Sequence, residues 1–489
     1  MRCARVAYFI IHLCLLRFSF FFLLVPIVNA ARQLKQVHVI TRHGSRTVLE
    51  KTGSQQRVER TVGSLTRLGE KQLYNVGVWL RRRFVGPDKL LGTTYVASEV
   101  HFESSDIERA ISSANALSLG LFPPLSRNVN ESMLPDSLYQ SIPIFMKGSR
   151  NDLFIRAFDK CPTFDKRLEA LYETTAWKEK ELENMNLLTE LAEIDDLKDF
   201  VNKDGFIPLS EVWNAFDFFN VAKVECAAAS DPNDSICLMD DNLKNDTWIS
   251  VSALSHQAEL LRYSNTSASA LLGGNLLFQI HQRMGGNTDG FSPGTPVSDL
   301  KGESKYYHYS AHYATILALF AALNLNPPSD EVIPDYGAAF LIHLYEDDVT
   351  NERSISLRYK EASTKNDWKI QFPNGLCQGE VYCPLQDFTQ YLSSFPFTSL
   401  EEWCQQCENY SADICLAVKV QSLDALVSAS ETCKAACSST SSDAGKVIGG
   451  FIGGSFLSIL ALICYRRFKN PDKRVLESDA EETPVGRVD

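Results

Sequence analysis

The apolar stretch Val37–Ile40 leads into Arg42-His43-Gly44-Ser45-Arg46-Thr47, which sets one histidine between two guanidinium groups. A buried strand needs a sheet with covered faces. In an open α/β sheet, ligands bind outside the carboxyl ends of the strands, where this hexapeptide would stand. Arginine is always charged and forks bidentately onto phosphate oxygens. Two such cations would hold the imidazole neutral, because a like charge lowers a histidine pKa. A neutral imidazole facing a phosphoryl group is a nucleophile. The competing reading is a loop histidine on a basic surface patch.

The flanking sequence alternates strand and helix. Val37–Thr41 reads as a buried strand, and Leu73, Val76, Leu80 and Phe84 form an apolar stripe on a helix opened near Thr66 and ended near Gly86. Thr94–Ala97 reads as a short strand and Asp106–Phe122 as a helix stopped by Pro123-Pro124. Residues from about 150 to 260 carry charged helical segments and most of the glycosylation sequons, and read as an inserted cap. Strand–helix alternation then returns with Tyr306–Ser310 and Tyr313–Leu325, followed by a hairpin of Ala339–Glu346 and Ser354–Lys360. The expected class is α/β, with a central mainly parallel sheet, flanking helices, a helical cap and one C-terminal transmembrane helix.

Both chain ends point to membranes. Met1–Ala30 has the form of a secretory signal peptide, with an uncleaved anchor as the alternative. Val447–Tyr465 is uncharged and is followed by Arg466, Arg467, Lys469, Lys473 and Arg474, which places a short tail in the cytoplasm; a buried core helix is the competing reading. Its Gly449-x-x-x-Gly453 and Gly450-x-x-x-Gly454 would let two spans pack, hence a homodimer as a candidate assembly. Of thirteen cysteines, ten fall in the exported part, an even number suited to disulfides. Sequons at Asn130, Asn233, Asn245, Asn265 and Asn409 fit a glycosylated surface. The net charge of −12 argues against nucleic acid as a partner. The expected divisions are a signal peptide at 1–30, an α/β core at 31–150 and 255–400, and a helical cap at 151–254. A Cys-rich membrane-proximal segment and Ser-rich stalk at 401–446, a span at 447–465 and a tail at 466–489 complete the chain. The protein therefore reads as a type I membrane protein of the lysosome, endosome or cell surface.

Two more candidates stand at strand or helix ends. His312 follows the strand Tyr306–Ser310, and Arg109 lies in the first turn of a helix, whose amino end favours anions. The competing readings are a satisfied core histidine for His312 and a surface ion pair with Glu108 or Asp106 for Arg109. His308 and His312 would share a face with no third ligand, so no metal is expected.

Arg42, His43, Gly44 and Arg46, together with Leu65-Thr66-Arg67-Leu68-Gly69-Glu70, Ser104–Arg109, Leu121-Phe122-Pro123-Pro124 and Tyr309-Ser310-Ala311-His312, resemble the ordered motifs of the histidine acid phosphatases. That branch of the histidine phosphatase superfamily includes lysosomal and prostatic acid phosphatases and phytases. Cys161-Pro162 and Cys377-x5-Cys383-Pro384 sit where the family keeps disulfide cysteines. The resemblance covers about 35–405 and, with the two chain ends, is strongest to the membrane-bound, lysosomal type. It implies a phosphoglycerate-mutase-like fold, a phosphomonoester substrate and no cofactor. It also implies attack by His43 to give a phosphohistidine, phosphoryl binding by Arg42, Arg46 and Arg109, and a hydrogen bond from His312.

The chain departs from the pattern at three positions. Tyr313 replaces the aspartic acid that protonates the leaving oxygen, Glu103 replaces an arginine, and Val48 replaces a proline. A phenol with an ordinary pKa of about 10 is a poor proton donor. Glu346 and Asp106 are candidate substitutes for the missing acid. Two functions follow: an acid phosphatase impaired on poor leaving groups, or a catalytically inactive membrane glycoprotein with a binding or trafficking role.

Overall fold

The computed structural model describes residues 32–49, 62–123, 140–229, 237, 245–264, 266–286, 304–328, 331–362 and 367–420. β1 (Arg32–Arg42) is buried continuously from Gln36 onward, as a strand covered on both faces must be. α1 (Arg67–Phe84) starts at Thr66, whose side chain accepts from Gly69 N–H, and buries Leu73, Val76, Leu80 and Phe84. Its last turn carries Arg81, Arg82 and Arg83, where cations meet the negative end of the helix dipole. β2 (Val100–Ser104) and α2 (Glu108–Leu121) follow. α1 and α2 meet at Gly77 and Gly120; a Cβ on either would lie 2.1 Å from a backbone oxygen of the other helix.

The strand expected at Thr94–Ala97 is instead irregular chain entering a turn, with Glu99 N–H donating to Val96 O. The extended segment begins a few residues later, where Val100 and Phe102 turn into the core. Tyr95 and Val96 supplied the apolar pattern, but Tyr95 packs edge-on against Phe122 from outside the sheet.

From β3 (Ile144–Met146) the chain runs through helices: α3 (Pro162–Tyr172), α4 (Thr175–Glu183), α5 (Met185–Ala192), α6 (Val212–Ala228), α7 (Asn245–Tyr263) and α8 (Thr266–Arg283). α7 continues unbroken through residue 254, the point chosen from sequence for the return to the core. β4 (Tyr306–Ala311), α9 (Tyr313–Ala322), β5 (Ala339–Asp347), β6 (Arg353–Lys360), β7 (Asp367–Ile370), β8 (Cys383–Pro384), α10 (Leu385–Leu392) and α11 (Leu400–Gln406) complete it.

The sheet order is β3-β2-β4-β1-β5-β6-β7, with β8 on β6. Only β3, β2, β4 and β1 are mutually parallel; β5 to β8 join antiparallel. The sheet is therefore mixed rather than mainly parallel, because short turns after β5 leave no room for a crossover helix. One face packs on α1 and α2 through Val37, Val39, Phe102 and Leu341. The other packs on the later helices through Ile40, Tyr309 and Phe340, the last against Phe320 of α9.

Disulfides join Cys161–Cys407, Cys226–Cys237, Cys377–Cys383 and Cys404–Cys415. The segment after residue 400 is consequently part of the main body up to 420, not a separate membrane-proximal piece: Trp403 is fully buried and its indole N–H donates to Leu271 O at 2.7 Å. Asn409 is 2% exposed, and its amide donates to Lys160 O, so this sequon is not a surface site. Asn245 is exposed. Met1–Ala30, Asn130, Asn233, Asn265, Cys433, Cys437 and Val447–Tyr465 lie outside the described residues. Among the described residues no helix is long and apolar enough to cross a membrane.

Candidate active site

Parallel register builds the site. Arg42 of β1 pairs with Ala311 of β4, so the next residues, His43 and His312, stand side by side. His43 N–H donates to Ala311 O at 3.0 Å, and the two imidazole centroids are 5.5 Å apart. On the other side of β4, Ser104 pairs with Ser310, which brings Ser105 and the start of α2 alongside. Ser105 Oγ lies 2.9 Å from His312 Nε2, a contact that no local pattern predicts.

The loop after β1 is pinned to α1 by two glycines. A Cβ on Gly44 would lie 2.3 Å from Gly69 O, and one on Gly69 would lie 2.1 Å from Ser45 O. Thr66 N–H donates to Ser45 O, and Ser45 N–H donates to Gln72 Oε1. The two motifs that stood apart in sequence are thus one backbone contact. Val48, in the proline position, is buried.

His43 and His312 are both 0% exposed. Burial, then Arg109, His312, Arg42 and Arg46, hold the His43 pKa well below its ordinary value, so the ring is neutral. His43 Nδ1 lies 2.8 Å from Gly44 O, an acceptor only, so Nδ1 carries the proton. The lone pair is then on Nε2, which accepts from Arg109 Nε at 3.1 Å. Burial, then Arg109 and Arg156, likewise lower the His312 pKa.

The three arginines are buried around this nitrogen. Arg42 donates to Pro334 O, stacks over Tyr336 at 3.9 Å, and its Nε has no hydrogen-bond partner among the described residues. Arg46 is held by Asp217 of α6, whose two carboxylate oxygens lie 3.0 and 2.9 Å from one guanidinium nitrogen. Tyr336 precedes Gly337, whose φ of +76° suits a residue without Cβ and whose N–H donates to His43 O. The Tyr336 ring is 5.9 Å from His43, and its hydroxyl is buried with no partner among the described residues. Burial raises its pKa while Arg46, Arg42 and Arg109 oppose the shift, which places the phenol among the cations.

Tyr313 lies beside Arg42, whose guanidinium is 5.5 Å from its ring centre, and its hydroxyl is buried with no partner among the described residues. Its ring stacks on Trp213 of α6 at 5.3 Å, and burial together with Glu259 and Tyr263 of α7 raises its pKa. The proposed substitute acids are elsewhere. Glu346 pairs in register with Gln33 at the far end of β1 and makes an ion pair with Lys35. Asp106 accepts from Ser149 N–H and does not cap α2, which begins at Glu108. Glu103 turns away from the phosphate pocket onto Arg283, at 3.0 Å. His308 is buried against Thr41 and Phe102. Among the described residues, no group of three or more His, Cys, Asp or Glu side chains could hold a metal ion.

Sequence reasoning missed Asp217, Tyr336 and Ser105. Asp217 had a usable signal, a lone carboxylate inside the apolar run of α6, because a buried charge requires a partner. Tyr336 and Ser105 lie in connections without periodicity.

The fold is shared with solved phytases. The apo phytase of Hafnia alvei superposes with a TM-score of 0.56 at 16% identity, covering 76% of this chain and 98% of that one. The phytase of Citrobacter braakii gives 0.56 at 13% identity, covering 76% and 99%. The lysosomal acid phosphatase of Homo sapiens is 26% identical over 392 residues, 77% of this chain and 81% of that protein. Putative acid phosphatase 5 of Caenorhabditis elegans is 27% identical over 395 residues, 78% and 81% respectively. Residues 54–360, which carry Arg109 and His312 and start just after the hexapeptide, match the family described as the histidine phosphatase superfamily, branch 2. The chain belongs to that superfamily.

Proposed function

We propose that the protein is an acid phosphatase that hydrolyses phosphate monoesters through a phosphohistidine at His43. The observation that carries this reading is the His43 Nε2 lone pair, neutral and directed at the Arg109 guanidinium within a buried arginine cluster. Arg42, Arg46 and Arg109 bind the phosphoryl oxygens, with the unpartnered Arg42 Nε and Tyr336 hydroxyl as further donors. His312 hydrogen-bonds the transferring group. Attack on phosphorus forms the P–N bond and breaks the ester P–O bond; water then hydrolyses the phosphohistidine. Positioning and charge stabilisation supply most of the rate. Tyr313, a phenol stacked on Trp213, is a poor proton donor to the leaving oxygen, so without another acid esters of acidic alcohols and phenols are the favoured substrates.

The four disulfides and the relatives named lysosomal acid phosphatase support residence in the secretory pathway. In this reading the chain is held by Val447–Tyr465, with the site on the lumenal or extracellular side. The alternative, a non-catalytic glycoprotein, draws support from the burial of the pocket under α6 and from Tyr313. The test is hydrolysis of an aryl and an alkyl phosphate at acidic pH by the full-length protein, beside His43→Ala. Aryl-phosphate turnover no higher than that of His43→Ala would leave the binding role standing.

A further inference from the structure

We infer that Asp217 is the proton donor to the leaving oxygen, supplied by the cap helix α6 in place of the residue that follows His312. This rests on the phosphatase reading above and specifies one of its steps.

Four observations converge on Asp217. Residues four apart on a helix share a face, and Trp213 and Asp217 are such a pair. Trp213 covers the ring of Tyr313, so the same face that closes the old acid position presents a carboxyl group one turn further on. Asp217 is 4% exposed and touches Arg46, so it lies within the phosphate cradle rather than on the molecular surface. Two turns beyond it, Glu225 accepts from Ser45 Oγ and from Thr66 Oγ1 at 2.7 Å, which anchors α6 to the loop that carries His43. Asp217 and Tyr336 also bear electrostatically on one another among Arg46, Arg42 and Arg109, so its carboxyl group is shared with the phosphoryl-binding groups.

The chemistry balances as follows. His43 Nε2 attacks phosphorus while the bond to the ester oxygen breaks. The departing oxygen takes the carboxyl proton of Asp217 and leaves as a neutral alcohol. Water then attacks the phosphohistidine and returns a proton to the Asp217 carboxylate, and orthophosphate leaves with His43 neutral. A carboxyl group is a far better proton donor than a phenol in an acidic compartment. Arg46 holds the carboxylate once its proton is gone.

The test is the leaving-group dependence of kcat/KM for the full-length protein over phosphate monoesters ranging from nitrophenyl to alkyl. Asp217→Asn keeps the size and one acceptor toward Arg46 while removing the acidic proton. It is expected to lose about 10²–10⁴-fold on alkyl esters while changing the nitrophenyl ester only a few-fold. Asp217→Glu is expected to recover part of the alkyl-ester activity, which a merely structural role would not require. An equal loss on both ester classes would overturn the assignment, leaving Asp217 as a support for Arg46. An equal gain on both would also overturn it, by making Asp217 a plug in the phosphate cradle. Absence of His43-dependent turnover of the nitrophenyl ester defeats the parent reading, and the donor role with it.

Discussion

Strands β1, β2 and β4 carry two buried polar clusters, and they are built to opposite rules. The inner one is a chain of neighbours: Glu103 with Arg283 at 3.0 Å, Arg283 with the Tyr309 hydroxyl at 2.8 Å, Tyr309 with His38 at 3.0 Å, and His38 with Gln36 at 3.0 Å. Burial would raise the Glu103 pKa, but Arg283 and then His101 hold the carboxyl well below its usual range. The outer cluster gathers Arg42, Arg46 and Arg109 beside a neutral imidazole, and the Arg42 Nε and the Tyr336 hydroxyl have no partner among the described residues. A buried donor left unsatisfied costs about 1–3 kcal/mol. The inner cluster matches its charges and ties the sheet to α8; in the outer one Asp217 pairs Arg46, and under the proposed function a phosphoryl anion supplies the remaining negative charge. The difference also explains Glu103: it belongs to the inner cluster, and its charge does not enter the pocket.

The comparison is tested most strongly at His43. His43→Ala is expected to abolish turnover, by up to roughly 10⁶-fold as for other essential nucleophiles, without loss of thermal stability. Steady-state kinetics together with a melting curve check both halves. Glu103→Gln should do the reverse, leaving Arg283 unpaired at a cost of about 3–5 kcal/mol while the leaving-group profile is unchanged. Because the folded-state pKa of Glu103 is lowered, its contribution is present above the ordinary carboxylate range and is lost as pH falls through the folded value. The Glu103→Gln deficit in denaturant unfolding should therefore be alike at pH 7 and pH 5.

Arg109→Lys keeps the charge but not the planar fork, and should cost about 10²–10³-fold in kcat/KM with little change in melting. A large stability loss there would erase the distinction between the clusters. Asp152 gives an effect on stability alone, spread over pH: burial pushes its pKa up to about 7. A raised folded-state pKa favours the fold at low pH, so stability should fall as pH rises from about 4 to 7, by roughly 1.4 kcal/mol per unit at the steepest. Asp152→Asn should flatten that slope in urea titrations.

Much of this arrangement was legible in the residues. The apolar run before Arg42, the stripe Leu73–Phe84 and the run Tyr306–Ser310 have strong local patterns, and each forms the element expected of it. Strand ends in an α/β sheet then bring His43, Arg109 and His312 together by register alone. The rest depended on contacts remote in sequence. Asp217 meets Arg46 across 171 residues, and Tyr336 reaches the pocket from the turn before β5. No local periodicity encodes either. Thr94–Ala97 failed for a related reason: apolar residues with strand propensity can also pack on an edge, and only tertiary context decides.

The position of β4 has a consequence for how the molecule is made. β1 and β2 leave the ribosome early, yet they are not neighbours; the strand that separates them begins at Tyr306. Until it arrives, each offers an open backbone edge, and such edges invite pairing with other chains. A chain truncated ahead of Tyr306 would therefore be a slot without its central strand rather than a smaller enzyme.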